Sequence, residues 1–229
     1  MKLSILIPIY NEEKNLLNIL QRVEEADVLG LEKEIILIDD GSTDKTCEIL
    51  KNLEKKYLVI YHPQNYGKGR ALRSGLKKAT GDLILIQDAD LEYHPKNYPD
   101  LLKPILEKKT EVVFGSRFLK KRAEIHDIYW LYYLGNKFTN CLLNFLYKTK
   151  LTDFWTGYKL FSASVIKNLP LESDRFEIEA EITLKLLKKK YRILEIPIDY
   201  SPRTFKEGKK IRVSDGLKAL WLIIKNKFS

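Results

Sequence analysis

The chain has 229 residues, 45% hydrophobic and 31% charged, which is the composition of a globular protein able to bury a substantial core and not that of a disordered chain. Forty basic against 31 acidic residues leave a formal charge of +9. That charge points to an anionic partner and leaves nucleic acid, an acidic membrane surface and a phosphorylated substrate open. The two distant cysteines, Cys47 and Cys141, exclude a disulfide framework, and the N-terminal apolar run is too short for a signal peptide, so a reduced cytoplasmic setting is expected.

Ser4 to Ile9 reads as a first strand, and Pro8 places its end near a loop. Tyr10 to Asn15 then starts a helix whose Leu16, Leu17, Ile19, Leu20 and Val23 share one face. At such a strand end Tyr10 could stack on a base and Glu12 accept a hydrogen bond from base or ribose; equally, the tyrosine packs and the acid favours a helix N-terminus. A second strand, Glu34 to Ile38, runs into Asp39-Asp40-Gly41-Ser42-Thr43-Asp44. One of the two adjacent acids, Asp39 by preference, faces a ligand, while Asp44 or Ser42 caps the helix that follows. Leu58 to Tyr61 is a third strand, leading to the basic, glycine-punctuated loop Asn65 to Arg70 and a helix from Ala71 to Ala79. Lys68 and Arg70 there could cradle a phosphate or be solvated, but the spacing is not that of a P-loop. Repeated strand and helix units imply right-handed crossovers and a mostly parallel sheet flanked by helices.

The fourth strand, Leu83 to Ile86, delivers Gln87-Asp88-Ala89-Asp90-Leu91-Glu92-Tyr93-His94-Pro95. Asp88, Asp90 and Glu92 offer the hard oxygen ligands that Mg²⁺ or Mn²⁺ prefers alongside substrate phosphates; otherwise they are a solvated turn. Because ligands bind at the carboxyl ends of such strands, Tyr10, Asp39 and Asp88 should converge.

Glu111 to Phe114 is another strand, and Arg117 just beyond it suits either an acceptor phosphate or an ion pair with a site carboxylate. Asp127 to Tyr147 has 14 apolar or aromatic residues in 21, but spanning needs roughly 20 predominantly apolar residues, and Gly135-Asn136-Lys137, Asn140 and Asn144 interrupt the run. It reads as two amphipathic helices whose aromatic faces suit a bilayer interface, although on the residues alone a buried hairpin or dimer contact is the safer reading. Phe176 to about Lys189 reads as a helix with Glu177, Glu179 and Glu181 near its start, and Ile193 to Ile198 as an edge strand. Arg203 to Arg212 holds five basic residues and one acid, a loop able to close over a diphosphate or to face anionic lipid. Ser214 begins a last amphipathic helix.

In this order and at these intervals SILIPIYNEE, IILIDDGSTD, NYGKGRAL and QDADLEYHP resemble the nucleotide-sugar half of family 2 glycosyltransferases of the GT-A fold. VVFGSRF, LTDFWTGYKLF and FEIEAEITLKLLKKKYRILEIPIDY resemble the branch of polyprenyl-phosphate glycosyltransferases that includes dolichol-phosphate mannose synthase. The resemblance covers nearly the whole chain. It implies a single GT-A α/β domain over 1–229, with a nucleotide-sugar half at 1–110 and an acceptor half at 111–229 carrying interface helices at about 127–147 and 214–228. The activity implied is inverting, metal-dependent transfer of a hexose from a GDP-mannose or UDP-glucose type donor to dolichyl or undecaprenyl phosphate. Peripheral association with the inner face of the membrane follows, leaving room for a separate membrane subunit. Carried over residue by residue, Pro8, Tyr10, Glu12, Asp39 and Asp40 would hold base and ribose. Lys68, Asp88, Ala89, Asp90, Arg203 and Lys209 would meet the diphosphate sugar, with Asp88, Asp90 and Glu92 on Mg²⁺ or Mn²⁺. Glu92 stands where the mannose synthases use glutamine. Arg117 and Lys137 would hold the acceptor phosphate, and Asp88, Asp90 and Arg117 form the catalytic set. A glycan or other hydroxyl acceptor is the alternative and needs a carboxylate base at Glu179 or Glu181. A basic nucleic-acid-binding protein is disfavoured, because the aromatics cluster in an apolar segment and no nucleic-acid motif is present.

Overall fold

The computed structural model describes residues 1–119, 130–203 and 213–228. Apolar runs rich in isoleucine and leucine form the strands β1 (Lys2–Ile9), β2 (Glu32–Asp39), β3 (Leu58–Tyr61) and β4 (Leu83–Ile86), which pair in parallel in the order β3-β2-β1-β4. Such runs fit strands covered on both faces. Ile5 and Ile7 sit in one core cluster while Leu6 and Ile38 sit in another on the opposite side of the sheet. The covering helices are α1 (Leu16–Glu25), α2 (Thr46–Lys51), α3 (Lys68–Lys78) and α4 (Tyr98–Leu106). Register aligns Ile9 with Asp39 and Asp39 with Tyr61, so the loops after β1, β2 and β3 open at one end of the sheet.

The second half of the chain completes the same sheet. Next to β4 lies β6 (Lys159–Ser162), antiparallel, followed by β5 (Val112–Ser116) and the edge strand β7 (Ile193–Pro197), with full order β3-β2-β1-β4-β6-β5-β7. The reversed β6 was not expected from sequence; at four residues it is too short to show a period. α6 (Ala163–Lys167) and α7 (Ile178–Lys188) follow, and α8 (Val213–Phe228) packs with α7 and with α5 (Trp130–Tyr147) around Leu143, Phe154, Trp155, Leu184 and Ile223.

The expected pair of helices between 127 and 147 is, from Trp130 onward, one helix; Asp127 and Tyr129 lie outside the described residues. Its polar residues are a docking face and not breaks. Thr139 Oγ1 donates to the Gly135 carbonyl at 2.9 Å and accepts from Trp155 Nε1 at 3.0 Å. Asn140 accepts from the Phe154 amide at 3.2 Å, and Asn144 exchanges two hydrogen bonds with the Leu151 backbone at 2.8 and 2.9 Å. Buried polar groups need such partners, and here they fasten α5 to the 151–155 segment. Among the described residues no helix is long and apolar enough to cross a membrane.

Candidate active site

The site begins where β4 ends. Gln87 is fully buried; its amide donates to the carbonyls of Asp88 at 3.0 Å and Tyr93 at 3.3 Å, and its oxygen accepts from Tyr98 Oη at 3.0 Å. This fixes the turn. Ala89 packs into the core between Asp88 and Asp90, and the two aspartates meet two separate cations.

Asp88 meets Lys68, the first residue of α3, at 2.6 Å. The same ammonium lies 2.9 Å from Glu179 on α7, and Glu179 is bonded in turn to Lys159 of β6. Lys159 is fully buried and also donates to the carbonyls of Phe154, at 3.1 Å, and Thr156. A row of alternating charges therefore runs Asp88, Lys68, Glu179, Lys159. Burial opposes their charge, yet the neighbouring acids raise the Lys68 ammonium above its ordinary range, and Lys159 and Lys68 hold the Glu179 carboxyl below its own. Gly157 lines the row so closely that a Cβ there would overlap Asp88 Oδ2 and Lys68 Nζ.

Asp90 meets Arg203. One guanidinium nitrogen lies 2.9 Å from Asp90, a second 3.1 Å from Glu12, and Nε 3.6 Å from Glu92. Glu92 also accepts from the Arg203 amide at 3.0 Å and from Tyr200 Oη at 2.8 Å, so it tethers the segment entering the basic loop. Burial first, then Glu92 and Asp88, push the Asp90 carboxyl up to about 7. Among the described residues the donor set is thus short of positive charge. It fits a hard divalent cation, which needs only one or two protein carboxylates beside substrate phosphates. Among the described residues no three histidine, cysteine, aspartate or glutamate side chains already form a cage; the acids that could hold such an ion are Asp88 and Asp90, and the structure does not gather Glu92 with them as a third ligand.

At the other side of the opening, the adjacent acids after β2 divide their work. Asp39 is buried at the strand end and accepts the Ser42 amide at 3.1 Å, beside Tyr10 and Pro8 at the end of β1. Asp40 accepts from His62 Nδ1 at 2.7 Å, Asn65 Nδ2 at 2.9 Å, and the amides of Tyr66 and Gly67 at 3.1 and 2.7 Å. Such saturation makes Asp40 the anchor of the 62–67 loop, so that of the two acids Asp39 is the one that could face a ligand. Asp44, one of the two expected caps, accepts the Thr46 amide at 2.9 Å at the start of α2, whereas Ser42 Oγ accepts the Asn11 amide at 2.9 Å. The glycine loop is likewise docked. Gly67 has φ +109°, and side chains at Gly67 and Gly69 would run into the 173–175 backbone, while Arg70 pairs with Asp174 at 3.0 Å. Of that loop's cations, Lys68 reaches the site.

Arg117, beyond β5, makes the ion pair with a carboxylate that was one of its two sequence readings. Its Nε and Nη2 each lie 2.7 Å from the carboxylate of the fully buried Asp153, a bidentate geometry that fixes the guanidinium. Asp153 is held in place because Glu195 accepts from the Thr152 and Asp153 amides at 2.7 and 2.8 Å. Arg117 also stacks 5.1 Å from the Tyr200 ring and shares with Glu92 and Tyr200 the wall of a cleft of about 270 Å³. Phe118 meets Tyr133 of α5 edge-on at 5.7 Å, and Lys137 lies 5.3 Å above that Tyr133 ring, exposed. Lys209 lies outside the described residues.

Glu179 and Glu181 are both engaged. Glu181 accepts the amides of Glu172 and Ser173 at 2.9 and 2.8 Å and pairs with Lys185 at 2.6 Å. A carboxylate between two ammonium groups, or bound by two amides and a lysine, is a poor proton acceptor. Sequence reasoning missed Lys159, Glu195 and Tyr200; the one available signal was a lone lysine inside the apolar run Tyr158 to Phe161.

Residues 4–169 match the family model described as Glycosyl transferase family 2. The chain is 31% identical to a dolichol-phosphate mannosyltransferase of Pyrococcus furiosus, over 91% of this chain and 59% of that one. It is 30% identical to a UDP-N-acetylglucosamine–dolichyl-phosphate N-acetylglucosaminyltransferase of Methanococcus voltae, over 96% of this chain and 94% of that one. Among solved structures, glucosyl-3-phosphoglycerate synthase of Mycobacterium tuberculosis with Mn²⁺, UDP and phosphoglyceric acid superposes with a TM-score of 0.76 at 19% identity, covering 99% of this chain and 78% of that one. The same synthase with Mg²⁺ and UDP gives 0.72 at 18%, covering 98% and 79%. At these identities the likeness is one of fold, and the fold is GT-A.

Proposed function

This chain belongs to glycosyl transferase family 2 and is a glycosyltransferase; on that premise we propose that it transfers a hexose from a GDP- or UDP-sugar to a polyprenyl phosphate, with inversion, at the cytoplasmic face of a membrane. The observation that carries the acceptor class is the state of Glu179. A hydroxyl acceptor needs a base to remove its proton, and the carboxylate offered for that task is held between Lys159 and Lys68. A phosphate monoester is already ionised at neutral pH and needs positioning alone. Relatives named for dolichyl-phosphate acceptors support the same reading.

In this reading Tyr10, Glu12 and Asp39, with Pro8 at the strand end, receive base and ribose. Asp88 and Asp90 hold Mg²⁺ or Mn²⁺, which when bound neutralises the leaving diphosphate. Lys68 and Arg203 swing from these carboxylates to the diphosphate oxygens, the backbone at Ala89 lies beside the sugar, and Lys209 belongs to the loop that covers it. Arg117, locked by Asp153, presents the acceptor phosphate to the anomeric carbon, and Lys137 adds charge from α5. A phosphate oxygen forms the new bond as the bond from sugar to diphosphate breaks on the opposite face. Preorganised cations in a water-poor cleft stabilise that charge transfer.

Membrane contact is supported by the outer surface of α5 and α8. Phe138, Phe145 and Trp221 are 63%, 81% and 58% exposed, and Lys225 lies 4.5 Å over the Trp221 ring. Aromatic rings next to lysines suit a bilayer interface with anionic headgroups. One unit built on one sheet, with its acceptor side at 111–229, accounts for both surfaces.

Incubating the protein with labelled GDP- and UDP-sugars and polyprenyl phosphate, in detergent with Mn²⁺, Mg²⁺ or EDTA, tests the reading. A metal-dependent glycolipid is expected and names the donor. Donor binding without any glycolipid moves the acceptor to another class.

A further inference from the structure

Between the aspartate turn and the core runs the row Asp88, Lys68, Glu179, Lys159, drawn from the end of β4, the start of α3, the first turn of α7 and the start of β6. Lys68 is shared by two acids at nearly equal distance, 2.6 Å from Asp88 and 2.9 Å from Glu179. Glu179 is shared by two lysines. Lys159 is fully buried, and its other donors are fixed on the carbonyls of Phe154 and Thr156. The inner end of the row is therefore tied to the backbone, whereas Lys68 at the outer end lies between two side-chain carboxylates.

From this geometry we propose that Glu179 and Lys159 are positioning residues: together they set how much of the Lys68 ammonium rests on Asp88, and thereby the affinity of Asp88 for a divalent cation. The inference rests on the reading of Asp88 as a metal-holding carboxylate. A divalent cation and the Lys68 ammonium compete for one carboxylate. Glu179 offers Lys68 a second seat, and Lys159 limits how strongly that seat pulls, since it neutralises part of the same charge. Removing the charge of Glu179 confines Lys68 to Asp88. Removing the charge of Lys159 strengthens the hold of Glu179 on Lys68 and uncovers Asp88. The two changes act on the cation with opposite sign, although each breaks the same buried ion pair and each lowers stability. A merely structural pair would give two losses of stability and no such opposition.

Mn²⁺ titration followed by electron paramagnetic resonance, without nucleotide, tests the proposal on Glu179→Gln and Lys159→Met. Mn²⁺ affinity should fall on the order of tenfold in Glu179→Gln and rise by a factor of a few in Lys159→Met, the scale of one unit charge several ångströms away in a partly buried site. Equal affinities in wild type and both folded variants, or shifts of the same sign, overturn it. If either single variant does not fold, Lys159→Met/Glu179→Gln, which leaves no uncompensated charge in the core, carries the test. Weaker Mn²⁺ binding than wild type supports the proposal, and binding equal to or tighter than wild type overturns it. The same titration with GDP or UDP separates the two levels. A wild type that takes up no Mn²⁺ in any condition overturns the metal reading and this inference with it, whereas normal uptake by wild type with unmoved variants overturns this inference alone.

Discussion

Glu34 and Asp90 stand at opposite ends of the same sheet and meet opposite fates. At the amino end, Glu34 accepts from Ser4 Oγ, from the Thr80 amide at 2.8 Å and from Thr80 Oγ1 at 2.6 Å, with Lys2 3.1 Å away. Burial opposes its charge, yet these donors hold its carboxyl down at about 2. At the carboxyl end, Asp90 shares a single guanidinium with Glu12 and Glu92, and burial with its acidic neighbours pushes it up to about 7. One acid is supplied with donors from its own fold and ties β1, β2 and the turn before β4 together. Among the described residues the other is left short of positive charge, as a site must be if it is to take a divalent cation.

Removing the frustrated acid should break the comparison most sharply. Asp90→Asn is expected to reduce sugar transfer by about a hundredfold or more, the scale of losing one preorganised electrostatic contact, while the melting temperature of the unliganded protein rises by roughly 2–4 °C as like-charge repulsion is relieved. A scanning calorimetry trace beside the transfer assay checks both. Next in size is Gly157→Ala, whose Cβ overlaps Asp88 Oδ2 and Lys68 Nζ. Activity should fall roughly tenfold from misplacement of the reacting groups, seen in kcat with little change in the unfolding midpoint.

The opposite pattern belongs to the satisfied acid. Glu34→Gln should lose about 1–2 kcal/mol of stability in urea unfolding and keep wild-type turnover. Because the folded pKa lies below the usual 4.5, the contribution of Glu34 is complete above pH 4.5 and is lost as pH falls towards about 2. Wild type and Glu34→Gln should therefore converge in stability across that window. The smallest effect is expected from a change that touches neither acid. Phe145→Glu on the exposed face of α5 should weaken sedimentation with anionic vesicles by on the order of 1 kcal/mol, leaving Mn²⁺ binding and the melting curve unmoved.

Much of this architecture was legible in the sequence because it is local. Apolar runs ending in Tyr10, Asp39 and Asp88 marked the parallel strands and the end of the sheet at which their loops open. Asp39 and Asp40 could be told apart only in part from sequence, because the donors that saturate Asp40 come from the 62–67 loop. What escaped depends on partners far along the chain. Arg203 meets Glu12 across 191 positions, and the row through Glu179 draws on β4, α3, α7 and β6. The asparagines of α5 looked like interruptions because their partners at 151 and 154 lie outside any helical window. Glu92 read as a metal ligand from its spacing, and the hydrogen bonds it accepts from Tyr200 and the Arg203 amide, far along the chain, could not be read there.

The central claim is that the nucleophile is an anionic phosphate which Arg117 positions and no base deprotonates. Offering the protein a polyprenyl phosphate and the corresponding polyprenol, of equal chain length, under one donor and metal condition tests it most directly. Sugar should appear on the phosphate alone, with Arg117→Lys raising the acceptor KM because the bidentate lock on Asp153 is lost. Comparable glycosylation of the alcohol would contradict the account.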